Sequence, residues 1–242
     1  MRNPTEGFSQ RSKLDNDIVF CPRSDEWTRS ENTPPAEREM PLRVVRWLKG
    51  WVHRMFKGDY NVTIIGIRTG RVHVDGHPLV SNKFQDWMVV TYPVGTTRVW
   101  YVLPATTLAG MKYYETPMNR RGTAQLPSKM HKALWEQGLH KGKRALVQAN
   151  KVEVVRDADG DKYHDWDGEI YRGNFGINFH TANEKGTSTQ VDGWSAGCQV
   201  TNISQVTFEH LLNTLAMCEQ FTGYKTYSYL LLDDTNGTLD PL

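Results

Sequence analysis

The 242-residue chain carries 29 Lys and Arg against 27 Asp and Glu, and 38% of its residues are hydrophobic, which suits one large domain or a medium domain with an appendage. A net charge of +2 with both signs interspersed makes no broad cationic field, so a nucleic-acid backbone is not an expected partner. No run approaches the ~18–20 apolar residues of a membrane-spanning helix, and a soluble protein is expected.

The first ten residues have neither an apolar core nor a small-residue cleavage site, so no secretory signal peptide is read there. Work outside a cytoplasm then needs delivery by other means. Three cysteines, Cys21, Cys198 and Cys218, are too few and too widely spaced for a disulfide framework or a closed zinc site.

Residues 1–40 are rich in Asn, Ser, Thr, Pro, Glu and Arg and show no sustained apolar period. They read as an extended arm, either a disordered terminus or a strap that orders on a partner. Phe8, Ile18, Val19, Phe20 and Trp27 fit a strap. Residues 41–57 change character. Val44, Leu48, Trp51 and Met55 follow helical spacing, while Arg43, Arg46, Lys49, Arg54 and Lys57 occupy other positions with no acid among them. This basic amphipathic helix is expected to pack on the adjoining domain, and no membrane partner is expected.

From residue 58 to the end at 242, the chain reads as one domain. Segments 61–67, 87–92, 98–103, 145–148 and 152–155 are short, β-branched and aromatic, and bounded by Gly, Asn, Asp or Pro. Helices are predicted over 128–137 and 203–221. The second presents Phe208, Leu211, Leu212, Leu215 and Cys218 on one face, with Gly223 as its C-cap, which makes Cys218 a core residue. Residues 225–232 read as a closing strand.

The chemistry concentrates in Phe175-Gly-Ile-Asn-Phe-His180 and Gly193-Trp-Ser-Ala-Gly-Cys-Gln-Val200. On a strand, Phe175, Ile177 and Phe179 face one side and Asn178 and His180 the other. Small residues before Cys198 let backbone come close to a substrate. A thiol needs a base or positive charge beside it to act as a thiolate, and His180 is the natural supplier. The pair then supports acyl transfer, with Gly197 and Cys198 N–H groups holding the oxyanion. The competing reading is a packing cysteine and a satisfied strand histidine.

The order Ile-Asn-Phe-His180, fourteen residues, then Ser195-Ala-Gly-Cys198 resembles the L,D-transpeptidase catalytic domain, whose signature is a histidine followed by a Ser/Thr-His-Gly-Cys block. Upstream, Ala105-Thr-Thr-Leu-Ala-Gly110, Thr116-Pro117 and Gly122 resemble that family's small-residue turn before its Thr-Pro segment. The resemblance implies a mainly β fold with a few helices, a β-sandwich whose groove takes peptidoglycan stem peptides. It makes Cys198 the nucleophile, His180 the base, Ser195 the small hydroxyl residue of the block and Gly197 the oxyanion glycine. Asn178, Trp194 and Gln199 become candidate substrate contacts, Trp194 as a cleft wall. Ala196 stands where the family's block has its histidine, and Val200 where Asn or Arg is usual. The Ser-x-Gly-Cys-Gln form is similar to a divergent branch among phage proteins, implying a lysin or virion-associated wall enzyme that meets other virion proteins through residues 1–57. A virion or wall-binding module without turnover is the rival reading.

No cofactor and no metal are expected. Asp157-Ala-Asp-Gly-Asp161 starts like a calcium loop, but Lys162 and Gly168 occupy the places of the required glycine and bidentate acid. A looser calcium site on Asp157, Asp159, Asp161, Asp165 or Asp167 competes with a solvated acidic loop. His73 and His77 lack a third zinc ligand in sequence. Trp87, Trp100 and Trp166 are expected in the core or lining a groove.

Overall fold

The computed structural model describes residues 42–55, 57–69, 71–72, 78–79, 82–159, 168–183, 186–234 and 239. The expected arm, Cys21, the His73/His77 pair, Trp166 and the acids Asp161, Asp165 and Asp167 lie outside the described residues. In chain order the elements are α1 (Leu42–Met55), β1 (Thr63–Arg68), β2 (Arg71–Val72), β3 (Pro78–Leu79), β4 (Asp86–Val94), β5 (Thr97–Thr106) and α2 (Met111–Glu115). There follow β6 (Thr123–Gln125), β7 (Met130–His140), β8 (Lys143–Gln148), β9 (Val152–Asp157), β10 (Tyr171–Gly173), β11 (Phe179–Thr181), a 3₁₀ turn (Asp192–Trp194), β12 (Gln199–Thr201), α3 (Gln205–Thr222) and β13 (Thr226–Asp233).

The mainly β architecture is as expected, but the two-sheet sandwich is not what the strands make. Eight of them close into a barrel in the order β1-β13-β7-β8-β11-β12-β5-β4. Closure follows because β1 pairs antiparallel with β4 on one side and parallel with β13 on the other, leaving no free edge. A separate three-stranded sheet, β10-β9-β6, lies apart from the ring.

Alternation sets the two faces of the barrel. Ile64, Met88, Val90, Leu103, Leu146, Phe179, Tyr229 and Leu231 join the main core, and α3 adds Phe208, Leu211, Leu212 and Leu215 to it. Phe179 meets Phe208 edge-on with ring centroids 5.1 Å apart. On the opposite face Ile65, Ile67, Val89, Trp100, Leu230 and Leu232 pack against Val44, Leu48 and Val52 of α1. The amphipathic helix therefore spends its apolar stripe on the barrel, each fully buried side chain contributing roughly 1.5–3 kcal/mol. Ser204 caps α3 by accepting from Thr207 N at 3.2 Å, and Gly223 ends it at φ +73°. The face foreseen for this helix, Cys218 included, is buried.

The helix predicted over 128–137 is instead β7. Its partners show why: Tyr227 faces Trp135 and Tyr229 faces His131, so two residues on β13 span four on β7. The bulge, with Ala133 at φ +48° and its N–H on Ser228 Oγ at 3.0 Å, sends His131, Leu134 and Trp135 all into buried positions. That gives i, i+3, i+4 spacing on a strand, a pattern periodicity alone reads as helical.

Candidate active site

β11 and β12 run parallel, with Phe179 beside Gln199 and His180 beside Val200. The ladder extends one step further through Gln199 N–H donating to Asn178 O at 2.8 Å. Cys198 is thus one step from Val200 in the side-chain alternation and diagonal to His180 on the same face. With strands ~4.8 Å apart and ~3.3 Å rise per residue, the diagonal separates their Cα atoms by about 8 Å; Nε2 and Sγ are not hydrogen-bonded to each other. Phe179 and Gln199 point the other way, into the barrel.

The imidazole is set up to accept a proton. His180 Nδ1 lies 2.9 Å from the Thr181 carbonyl, which can only accept, so the proton sits on Nδ1. Nε2 is left as a lone-pair nitrogen, buried and without a hydrogen-bond partner. Burial pushes the His180 pKa down to about 4, the Thr181 bond opposing it and His140, Lys141 and Lys143 reinforcing it. His140 stacks on His180 with centroids 4.6 Å apart. Its Nδ1 accepts from Asn178 Nδ2 at 2.8 Å, and burial lowers its pKa too.

The thiol is also neutral at rest. Cys198 Sγ donates to Gly176 O at 3.2 Å. Burial raises its pKa, while the Asn178 N–H and the charge of Lys141 favour the thiolate. Cys198 and His180 are 9% and 8% exposed, so both reacting groups sit almost sealed, and no thiolate–imidazolium pair is preformed. Around the sulfur, Phe84, Ala182, Val191 and Val200 form a small apolar cluster.

The Ser-Ala-Gly-Cys turn is braced internally. Ser195 Oγ, fully buried, donates to Cys198 O at 2.7 Å and accepts from Gly197 N at 3.2 Å. Gly197 adopts φ +124°, and a Cβ there would meet Ala124 O at 2.8 Å, so only glycine fits without strain. Its N–H is already engaged, which corrects the expectation of two waiting oxyanion donors. Gly110 donates from its N–H to Ser195 O at 2.9 Å, and a Cβ on it would meet Asp192 O at 2.0 Å. The upstream small-residue turn therefore presses directly on the block.

Two expected substrate contacts are corrected. Gln199 is wholly buried inside the barrel, where its Oε1 accepts from Tyr229 Oη at 2.7 Å; a bonded interior amide has no access to a ligand. Asn178 uses both ends of its amide, Nδ2 on His140 and Oδ1 accepting from Gln148 N at 2.9 Å, which makes it a bracket for the His140 ring that stacks on His180. Trp194 is 41% exposed on the 3₁₀ turn, immediately before the block.

His140 and Gln148 were missed. Gln148 Oε1 accepts from Phe175 N and Ile177 N at 3.0 Å each, and its Nε2 donates to Gly173 O at 3.1 Å and Asn150 O at 2.8 Å. One side chain thus pins the segment whose Gly176 carbonyl holds the sulfur. Nothing local in sequence marks either residue; only the strand pairing brings them to the site. No family model, no curated protein and no solved structure matches the chain.

Proposed function

We propose that the chain is an L,D-transpeptidase-like cysteine acyltransferase or peptidase acting on peptidoglycan stem peptides. The observation that carries the reading is the buried, unpartnered Nε2 of His180 on the same strand-pair face as Cys198. A satisfied structural histidine leaves no such acceptor, because an unpaired buried polar atom costs roughly 1–3 kcal/mol.

Because the resting pair is neutral, proton transfer accompanies attack. Nε2 takes the thiol proton as sulfur bonds to the substrate carbonyl carbon, and the carbonyl oxygen becomes an oxyanion facing the Cys198 N–H. The tetrahedral intermediate collapses, the C–N bond breaks, and the imidazolium returns its proton to the leaving amine. Water or a second amine then attacks the thioester, giving a proton to Nε2, and the sulfur leaves and is reprotonated from it. Such positioned proton transfer contributes about 10²–10⁴-fold. Asn178 acts by holding His140 against the His180 ring, and Gln148 by pinning the segment that carries the Gly176 carbonyl.

Delivery to the bacterial wall in a virion or through a phage lysis system is part of the proposal, resting on the Ser-x-Gly-Cys-Gln resemblance. The rival, a wall-binding module without turnover, is favoured by the near-complete closure of both reacting side chains and by Ala196 and Val200. Muropeptide mass spectrometry on purified peptidoglycan separates them. New stem-peptide products with the wild type and none with Cys198→Ala support the enzyme; co-sedimentation with unchanged muropeptides supports the module.

A further inference from the structure

A cavity of about 440 Å³ is lined by Asn119, Arg120, Arg121, Arg156, Tyr171 and Phe175 among others. Two of its lining residues are linked to the thiol site. Phe175 directly precedes the Gly176 carbonyl that holds Cys198 Sγ, and Arg156 Nη1 donates to Gly122 O at 2.7 Å, two residues before the Ala124 carbonyl that Gly197 faces.

The chemistry of the cavity is that of an anion receptor. Arg156 is 9% exposed and lies over the rings of Tyr171 and Phe175, 5.6 and 5.5 Å from their centroids. Arg121 lies over Tyr171 at 5.3 Å and is close enough to repel Arg156. Tyr171 Oη donates to Glu169 at 2.6 Å. Among the described residues none of Arg120, Arg121 and Arg156 forms an ion pair. Three guanidiniums, none in an ion pair, with the nearby Glu169 carboxylate held by Tyr171 Oη, supply several donors suited to a carboxylate.

We propose that this pocket is the subsite for a free carboxylate of the acyl donor, so that acidic stem peptides are selected over amidated ones by Arg120 and Arg121 at the rim and Arg156 at the floor. The assignment of the ligand as a donor rests on acyl transfer at Cys198. The test is therefore made on the full chain carrying Cys198→Ala, where binding is read without turnover. A synthetic stem tetrapeptide with free carboxylates and the same peptide with carboxamides are titrated calorimetrically at low salt, against Arg120 and Arg121 intact and against Arg120→Gln/Arg121→Gln. Both arginines are exposed, and an unchanged thermal midpoint checks the fold of the double variant.

The expected result is about tenfold or greater preference for the acid, lost in the double variant with amide binding unchanged. Equal affinities, a preference that survives the double variant, or no binding of either peptide overturns the subsite. A site for phosphate instead would bind inorganic phosphate and leave the two peptides equal, which also overturns it. Preference intact with no turnover by the Cys198-containing chain overturns acyl transfer and leaves the carboxylate subsite standing.

Discussion

Replacing Gln148 by alanine tests how the site is held. The substitution removes the shared acceptor of Phe175 N–H and Ile177 N–H and the donor to Gly173 O and Asn150 O. Asn150 is exposed and Phe175 half-buried, so water replaces part of what they lose, at about 0.5–1.5 kcal/mol for the bonds concerned. Ile177 is 2% exposed, and its N–H left unpaired costs about 1–3 kcal/mol. The sum is a loss of roughly 1.5–4.5 kcal/mol in urea unfolding. Because the same segment carries the Gly176 carbonyl, the Cys198 thiol is expected to alkylate faster, read by peptide mapping so that Cys21 and Cys218 are scored separately. Gln148→Glu, which keeps the acceptor for both amides, should lose less. A change below about 0.5 kcal/mol with unchanged hydrogen exchange at Ile177 would refute the reasoning.

Three further outcomes follow from the same geometry. Gly197→Ala forces a Cβ against Ala124 O at a φ of +124° and is expected to destabilise by about 1–3 kcal/mol, read as a fall in the thermal midpoint; an unchanged midpoint contradicts the fit. Tyr229→Phe strips the donor from Gln199 Oε1 deep in the barrel, costing about 1–3 kcal/mol in urea unfolding, whereas a neutral effect would mean that the interior bond is not a constraint. His180 and His131 are both held near pKa 4 by burial, below the unfolded value of 6.5, so the unfolded chain takes up protons first as pH falls. Their contribution is complete above about pH 6.5 and lost progressively down to pH 4, up to roughly 3 kcal/mol for each. A flat stability profile across that window in wild type would remove the basis for a neutral His180.

Much of the fold is legible in the sequence, and the exceptions have physical causes. The α3 face from Phe208 to Cys218 was readable because a single helix buries one uninterrupted stripe, and both caps are ordinary residues for their positions. β7 reads as a helix in sequence because a bulge at Ala133 gives a strand the spacing of a helix. The alternation of Asn178 and His180 against Ile177 and Phe179 was correct, although Gly176, at φ +71°, breaks the strand before it. Gln199 shows the limit of motif transfer. Its neighbour Cys198 sits at the site, yet alternation turns Gln199 inward to Tyr229, and Gly66 leaves room for that ring: a Cβ there would lie 1.9 Å from Tyr229 Oη. His140 and Gln148 carry no linear signal because they approach His180 through the β7–β8–β11 pairing, a relation that no linear spacing encodes.

The central claim is that Cys198 becomes an acyl-thioester with His180 Nε2 as its base, and intact-protein mass spectrometry after incubation with a carbapenem reads that bond directly. The account predicts one covalent adduct per chain, mapped to Cys198, absent in Cys198→Ala and formed about 10²-fold or more slowly in His180→Ala. An unmodified wild-type mass, or equal acylation with and without the imidazole, would contradict it.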